Sequence, residues 1–240
     1  MNLLVLAIAP GLAICLFIYF KDKYNREPLI WLILSFILGM VSIVPAVIAE
    51  ILLKSPAEVY FGTGKTGTAV SAYAIVGLSE ELSKFLVLRY AIYNRSSFDD
   101  PFDGIVYSVF ISMGFATLEN IGYVMQHGFA TGIMRMFLSV PAHATFGVLM
   151  GYYVGLAKFN PSRKIRYLFL GLLWAVLFHG TFDFFLFLGN TWMHVAGALL
   201  SFVVAIRLSR KAIKKKQLIS GAYFQNKDYP ESSNKSLFND

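Results

Sequence analysis

The sequence predicts an all-α fold: a polytopic transmembrane helical bundle of about seven spans, with its N-terminus outside and its C-terminal tail in the cytoplasm. Three observations predict it. Charged residues make up only 15% of the 240 residues and hydrophobic ones 57%, whereas a soluble domain carries about 25% charged residues. Apolar runs recur from Leu3 to Ile206, each close to the roughly 20 residues that cross a bilayer as a helix. The basic residues lie between and after these runs, where the positive-inside rule places them. The net charge of +7 therefore speaks for a membrane surface and not for nucleic acid.

The spans are expected at about Leu3–Phe20, Leu29–Leu53, Ala69–Ile92, Phe102–Met125, Ala130–Ala157, Tyr167–Leu188 and Trp192–Ile206. Only Met1 and Asn2 precede the first, so there is no basic n-region of a cleavable signal. Lys21, Lys23 and Arg26 follow that run, which puts its N-terminus outside. With this orientation 17 of the 21 Lys and Arg residues fall on the cytoplasmic side. Lys54, Lys65 and Arg135 fall outside, and Lys84 lies within a span. Boundary chemistry agrees. In "DDPFDG", Asp100 suits a cap, Pro101 a first turn and Asp103 the positive end of the fourth helix dipole. "NPSRK" and "LGNT" break the chain before the sixth and seventh spans. The fifth span is long and the seventh short, so either could include an interfacial piece. Trp31 and Trp192 fall where aromatic anchors sit. Cys15, the single cysteine, excludes an internal disulfide and reads as a small core residue.

Two regions follow: residues 1–206 in the membrane, and 207–240 as a basic juxtamembrane segment leading into a polar, disordered tail. The basic part is expected to lie against anionic lipid.

Ionisable groups at mid-span cost about 2.5–3.5 kcal/mol each, which makes them functional candidates by default. Glu80, Glu81 and Lys84 lie in the third span, Glu119 in the fourth, His143 in the fifth, and His179 and Asp183 in the sixth. An intrahelical ion pair explains Lys84 and one glutamate but leaves the other glutamate unpaired. His179 and Asp183 share a face at i,i+4, so the carboxylate can orient the imidazole. Gly147 and Gly151, beyond His143, would let another helix pack closely. Counted from the outer span ends at 1.5 Å per residue, Glu80, Glu119, His143, His179 and Asp183 share a layer roughly 12 Å thick in the outer half of the bilayer. Independent core hydrogen bonds have no reason to align in this way. Glu50, His127 and His194 are expected near outer ends, within reach of water, and Arg135 is expected to snorkel.

Acids and imidazoles at one buried level suit hydrolysis, in which a carboxylate deprotonates water while histidines stabilise the oxyanion and protonate the amine. They also suit proton-coupled transport, though no repeat symmetry of a transporter is evident. A non-catalytic scaffold or immunity protein is the third class. No GxSxG stands near a histidine, and HExxH is absent.

"EELSK" (Glu80 to Lys84), "FDGIVYSVFISMGFATLENIGY" (Phe102 to Tyr123), "HATFG" (His143 to Gly147) and "HGTFDF" (His179 to Phe184) carry a family resemblance. The sequence resembles the PrsW family of bacterial intramembrane proteases, within the superfamily of CAAX-prenyl and bacteriocin-processing proteases. The likeness runs from Ala9 to the seventh span. It implies a multi-pass protease of the bacterial plasma membrane that makes the first cut in a single-pass anti-sigma factor, near its extracytoplasmic side. A second intramembrane cut then frees a sigma factor for envelope-stress transcription. By motif, Glu80 and Glu81 are the paired glutamates, with Glu80 activating water, and His179 and Asp183 the last motif. Glu119 and His143 fall on the other two, with Lys84, Phe115 and Asn120 supporting. The wider superfamily has FxxxH where this chain has Phe115-x-x-x-Glu119, which puts a metal-free mechanism in doubt. Two converging carboxylates either share a proton or are neutralised by a divalent cation. Zinc held by Glu80, Glu119, His143 and His179 is the metal form of this reading.

Overall fold

The structure, a computed structural model, describes residues 3–189 and 191–225, and these form an all-helical bundle. The helices are α1 (Leu3–Lys21), α2 (Leu29–Val41), α3 (Ile43–Phe61), α4 (Lys65–Ala69), α5 (Leu78–Val87), α6 (Asp103–Phe137), α7 (Ser139–Phe159), α8 (Lys164–Phe187) and α9 (Trp192–Gln225). Five stretches are long and apolar enough to cross a membrane: Leu3–Lys21, Leu29–Phe61, Asp103–Phe159, Pro161–Phe187 and Trp192–Phe224. The chain is a multi-pass membrane protein.

The third expected span is not among those five: Glu80, Glu81, Lys84 and Arg89 make it too polar, although the chain is helical throughout Lys65–Ile92. π-helical segments Val70–Gly77 and Leu88–Ile92 flank α5. Each π turn adds a residue to the helical turn, a distortion that recurs at functional sites. Glu80, Glu81 and Lys84 sit on the α-helical stretch between them.

α6 and α7 make the centre of the bundle. Their order of contact is antiparallel: Gly104 meets Gly151 and Gly155, Ser112 meets Gly147, and Glu119 meets His143. A methyl group on Gly151 would stand 2.2 Å from the Gly104 carbonyl oxygen, so the two backbones touch here only because both residues are glycine. α1 packs on α6 along Gly11 and Asn120, and α8 on α7 along Gly171. α3 stands at the rim, with Ala46 its one buried residue, and presents Ile48, Ile51, Leu52, Val59 and Tyr60 outward. Apolar side chains on that face are what lipid selects.

Three boundaries differ from the sequence reading. α6 does not end at Met125 but bends at Gly128, whose φ of +78° favours glycine. It then continues as a second helical piece to Phe137, and α7 begins only at Ser139. α9 does not stop at Ile206: the basic run expected as a juxtamembrane segment is helical to Gln225. Its residues are anchored there, since Gln217 Nε2 donates to the Lys21 carbonyl at 2.5 Å and Ser220 Oγ bonds the Asp100 carboxylate. The tail beyond residue 225 lies outside the described residues. Asp100 makes an Asx-type turn, accepting from Phe102 N at 2.7 Å, rather than a helix cap. Cys15 is buried as expected.

Candidate active site

A cavity of about 670 Å³ lies among α3, α5, α6, α7 and α8. Glu80, Glu119, His143, His179 and Asp183, each from the helix expected to supply it, line one part of it. Gln126, His127 and Phe187 line the part near the helix ends. Glu81 and Lys84 lie behind this wall, 0% and 1% exposed.

Lys84 is the hub. Its Nζ stands 3.1 Å from Glu80 Oε2, 2.8 Å from Glu81 Oε1 and 3.2 Å from His143 Nδ1, and 3.9 Å above the Phe115 ring. An ammonium only donates, so His143 Nδ1 accepts and Nε2 donates to Glu119 Oε2 at 3.0 Å. His179 is held between two carboxylates: Glu81 Oε1 lies 2.8 Å from Nδ1 and Asp183 Oδ2 3.2 Å from Nε2. Glu80 Oε2 is 3.9 Å from that same Nε2. The two imidazoles meet edge to face at 5.0 Å, and Phe146 stacks on His179 at 5.0 Å. Every carboxylate here has a cationic or imidazole partner, which is what makes the burial tolerable.

Four of these residues, Glu80, Glu81, His143 and His179, bring one ligand atom each to within 4.8 Å of one another. The sequence reading had Glu119 in this set instead of Glu81. In the structure Glu119 Oε2 is taken by His143 and by Arg135 Nη2 at 2.8 Å, outside the group. Imidazole and carboxylate donors at this spacing fit a zinc ion. Glu81 Oε2, buried without a hydrogen-bond partner, is a spare acceptor in the same group. Lys84 brings one positive charge among these atoms and holds His143 Nδ1, so a bound ion would take that nitrogen in place of the ammonium.

Two residues were read too blandly from sequence. Arg135 does not snorkel; the bend at Gly128 turns its helical piece back, and its Nε donates to Asn120 Oδ1 at 3.0 Å while Asn120 Nδ2 donates to the Ala7 carbonyl at 3.0 Å. Glu50, expected within reach of water near a helix end, lies instead within α3, half-buried at the cavity edge, and accepts from Ser79 Oγ at 3.3 Å.

Residues 27–208 match the model of the PrsW family intramembrane metalloprotease. The chain is 35% identical to the "Protease PrsW" of Geobacillus kaustophilus over 199 residues, covering 83% of this chain and 86% of that one. It is 35% identical to that of Bacillus subtilis over 208 residues (85% and 93%) and 37% identical to that of Clostridioides difficile over 199 residues (80% and 82%). No solved structure matches. With a buried glutamate–histidine cluster on a membrane-spanning helical frame and relatives that cover most of its length, the chain belongs to the PrsW family of intramembrane proteases.

Proposed function

We propose that this peptidase makes the first cut in a single-pass anti-sigma factor, near its extracytoplasmic side, and that Glu80 activates the attacking water. The observation that carries the assignment to Glu80 is the asymmetry of the glutamate pair. Glu80 faces the cavity, whereas Glu81 is sealed behind it between Lys84 and His179. Only the first can meet a water beside a substrate carbonyl. The cavity reaches the helix ends at Gln126, His127 and Phe187, and a second hollow bordered by Glu50, Tyr123 and Phe187 continues it to the turn between α3 and α4 at Gly62 and Thr63. The charge bias of the loops assigns that turn to the outside.

In this reading Glu80 accepts the proton of water as it attacks. A protonated His179 steadies the developing oxyanion and gives its Nε2 proton to the leaving amine, and Glu80, 3.9 Å from that nitrogen, then passes on the proton it took from water, so that both groups return to their starting state. Glu81 and Asp183 fix the His179 ring from both nitrogens, and Glu119 with Arg135 fixes His143. Lys84 keeps the glutamate pair from repelling itself apart. His143, His179 and one of the paired glutamates would hold a zinc ion, which when bound polarises a carbonyl and acidifies water.

Anionic lipid is the expected neighbour at the other end of the bundle. A groove of about 640 Å³ there has Ile14, Phe17 and Ile206 along its length and Lys21, Arg210 and Lys214 at its mouth, which suits acyl chains below a phosphate.

The deciding experiment reconstitutes the purified chain in liposomes with a candidate anti-sigma factor and maps the cut by mass spectrometry. A cut near the extracytoplasmic end of the substrate span, abolished by chelation and restored by zinc, is the expected result. Cleavage at the cytoplasmic end would overturn the site-1 assignment, and full activity after exhaustive chelation the zinc.

A further inference from the structure

A second group of buried acids lies at the far end of α6, about 16 residues or roughly 24 Å from Glu119 along the helix. Glu27, from the α1–α2 connection, Asp99, from the turn before α6, and Asp103, the first residue of α6, bring carboxylate oxygens within 4.8 Å of one another. Asp22 and Asp100 are fully buried beside them. Among the described residues no lysine, arginine or histidine nitrogen comes within ion-pair distance of any of these five carboxylates. The nearest cations sit beside the outlying acids and not among Glu27, Asp99 and Asp103: Arg26 Nε donates to the Asp22 backbone carbonyl at 3.3 Å, buried Lys216 acts on Asp100 from over the Tyr152 ring, and Lys158 Nζ donates to the Tyr93 carbonyl at 2.6 Å.

The local bonds do not neutralise the group. Asp103 Oδ2 accepts from Asp99 N at 2.9 Å and Asp100 N at 2.6 Å, and Glu27 Oε2 accepts from the Tyr107 hydroxyl. Asp103 is also at hydrogen-bond distance from the Glu27 carboxyl, and its Oδ1, sealed from solvent, meets no N–H or O–H donor from any residue outside the group. Two carboxyls facing each other in this way need a shared proton or a cation between them, and a third carboxylate, Asp99, beside the pair favours the cation. Asp99 is exposed on its outer side, which gives an ion a way in.

We infer that Glu27, Asp99 and Asp103 form a second metal site, distinct from the glutamate–histidine cluster, that takes a hard divalent cation of the Ca²⁺ or Mg²⁺ kind. The donors are all oxygen, the set such ions prefer and zinc does not need. The ion would tie the α1–α2 connection to the start of α6, where Ser220 on α9 also lands through Asp100. Its role is to lock this end of the bundle, not to cut.

The test uses the full chain, saturated with zinc, in a neutral detergent. Terbium, a luminescent stand-in for Ca²⁺, is excited through tyrosine, since Tyr107 touches the site. Saturable luminescence that Ca²⁺ or Mg²⁺ displaces is expected, with a rise in thermal midpoint on adding either ion. Asp99→Asn should weaken binding about tenfold or more. Because Asp99 is exposed, that variant should fold whether or not Glu27→Gln does. Binding should persist in Glu80→Gln, which reports on the other cluster. Binding that Asp99→Asn and Glu27→Gln leave intact overturns the site. So does a midpoint that ignores both ions and rises in Glu27→Gln, the signature of a carboxyl pair sharing a proton.

Discussion

The two ends of α6 hold buried charge in opposite ways. At the Glu119 end, acids meet Lys84, Arg135 and two imidazoles, so charge is balanced from within and the remaining space is a cavity. At the Asp103 end, acids meet acids with no ion pair among the described residues, and in our proposal a bound cation supplies the balance. The lesson concerns where a polar core can do chemistry. A cluster whose charges are mutually satisfied tolerates burial and still offers one face, Glu80, to a reactant. A cluster of one sign has no such freedom and serves as a socket.

The sharpest break in this comparison is the removal of the one carboxylate that faces the cavity. Glu80→Gln keeps the shape and should lower cleavage of a reconstituted substrate by about 10²–10⁴-fold, the usual weight of a positioned base. Its thermal midpoint should stay near that of the parent. A loss of folding instead would mean that Glu80 belongs to the internal balance and not to the reaction. Next in size is the hub. Lys84→Met leaves Glu81 buried against His179 alone and should cost about 3–5 kcal/mol, the penalty for one orphaned partner of a buried pair. The double variant Glu81→Gln/Lys84→Met should recover part of that loss. Unfolding titrations in mild detergent read both values. Equal instability of the single and double variants would show that the ammonium is held by packing rather than by charge.

Much of this site was legible in the sequence because lipid removes ambiguity. Glu80, Glu119, His143, His179 and Asp183 stood out against apolar neighbours, and their depth could be counted from span ends. The structure gathers all five on one cavity. What was not legible came from backbone events that hydropathy does not encode. The bend at Gly128 brings Arg135 onto Glu119, whereas a straight count carries it to the surface. The π-helical segments that flank α5 were not foreseen either, since hydropathy carries no mark of them. The second acidic group is not legible in the sequence because Glu27 and Asp103 are 76 positions apart, and Asp103 read singly as a charge at a helix start.

Arg135 offers a finer cut at the balanced end. Arg135→Gln strips Glu119 of its ion pair and Asn120 of its donor, and should cost about 1–3 kcal/mol, the penalty of leaving a buried acceptor unmet. Arg135→Lys should restore the charge on Glu119 but not the Nε bond to Asn120, because a lysine lacks the forked donor geometry. If Arg135→Lys behaves as the parent in both unfolding and cleavage, the charge alone matters. If it behaves as Arg135→Gln, the link through Asn120 to the α1 backbone is what holds Glu119 toward His143.

The smallest effect concerns a third way of balancing charge, in which the counterion is a lipid. Lys21, Arg210 and Lys214 meet at the mouth of the groove between α1 and α9, and no salt bridge engages them among the described residues. Each should contribute about 1 kcal/mol to holding an anionic headgroup. Arg210→Ala and Lys214→Ala should therefore each lower the affinity for anionic over neutral lipid about fivefold, and the pair additively, in native mass spectrometry of the detergent-purified chain. The contrast with the acidic socket is direct. Adding Ca²⁺ should leave the lipid count unchanged if the two sites are separate. It should alter that count only if the helix end carrying Ser220, which the acidic group anchors, also sets the groove. Since α9 is continuous through Arg210, Lys214 and Ser220, a coupled response would mean that the ion and the lipid grip one lever from opposite sides.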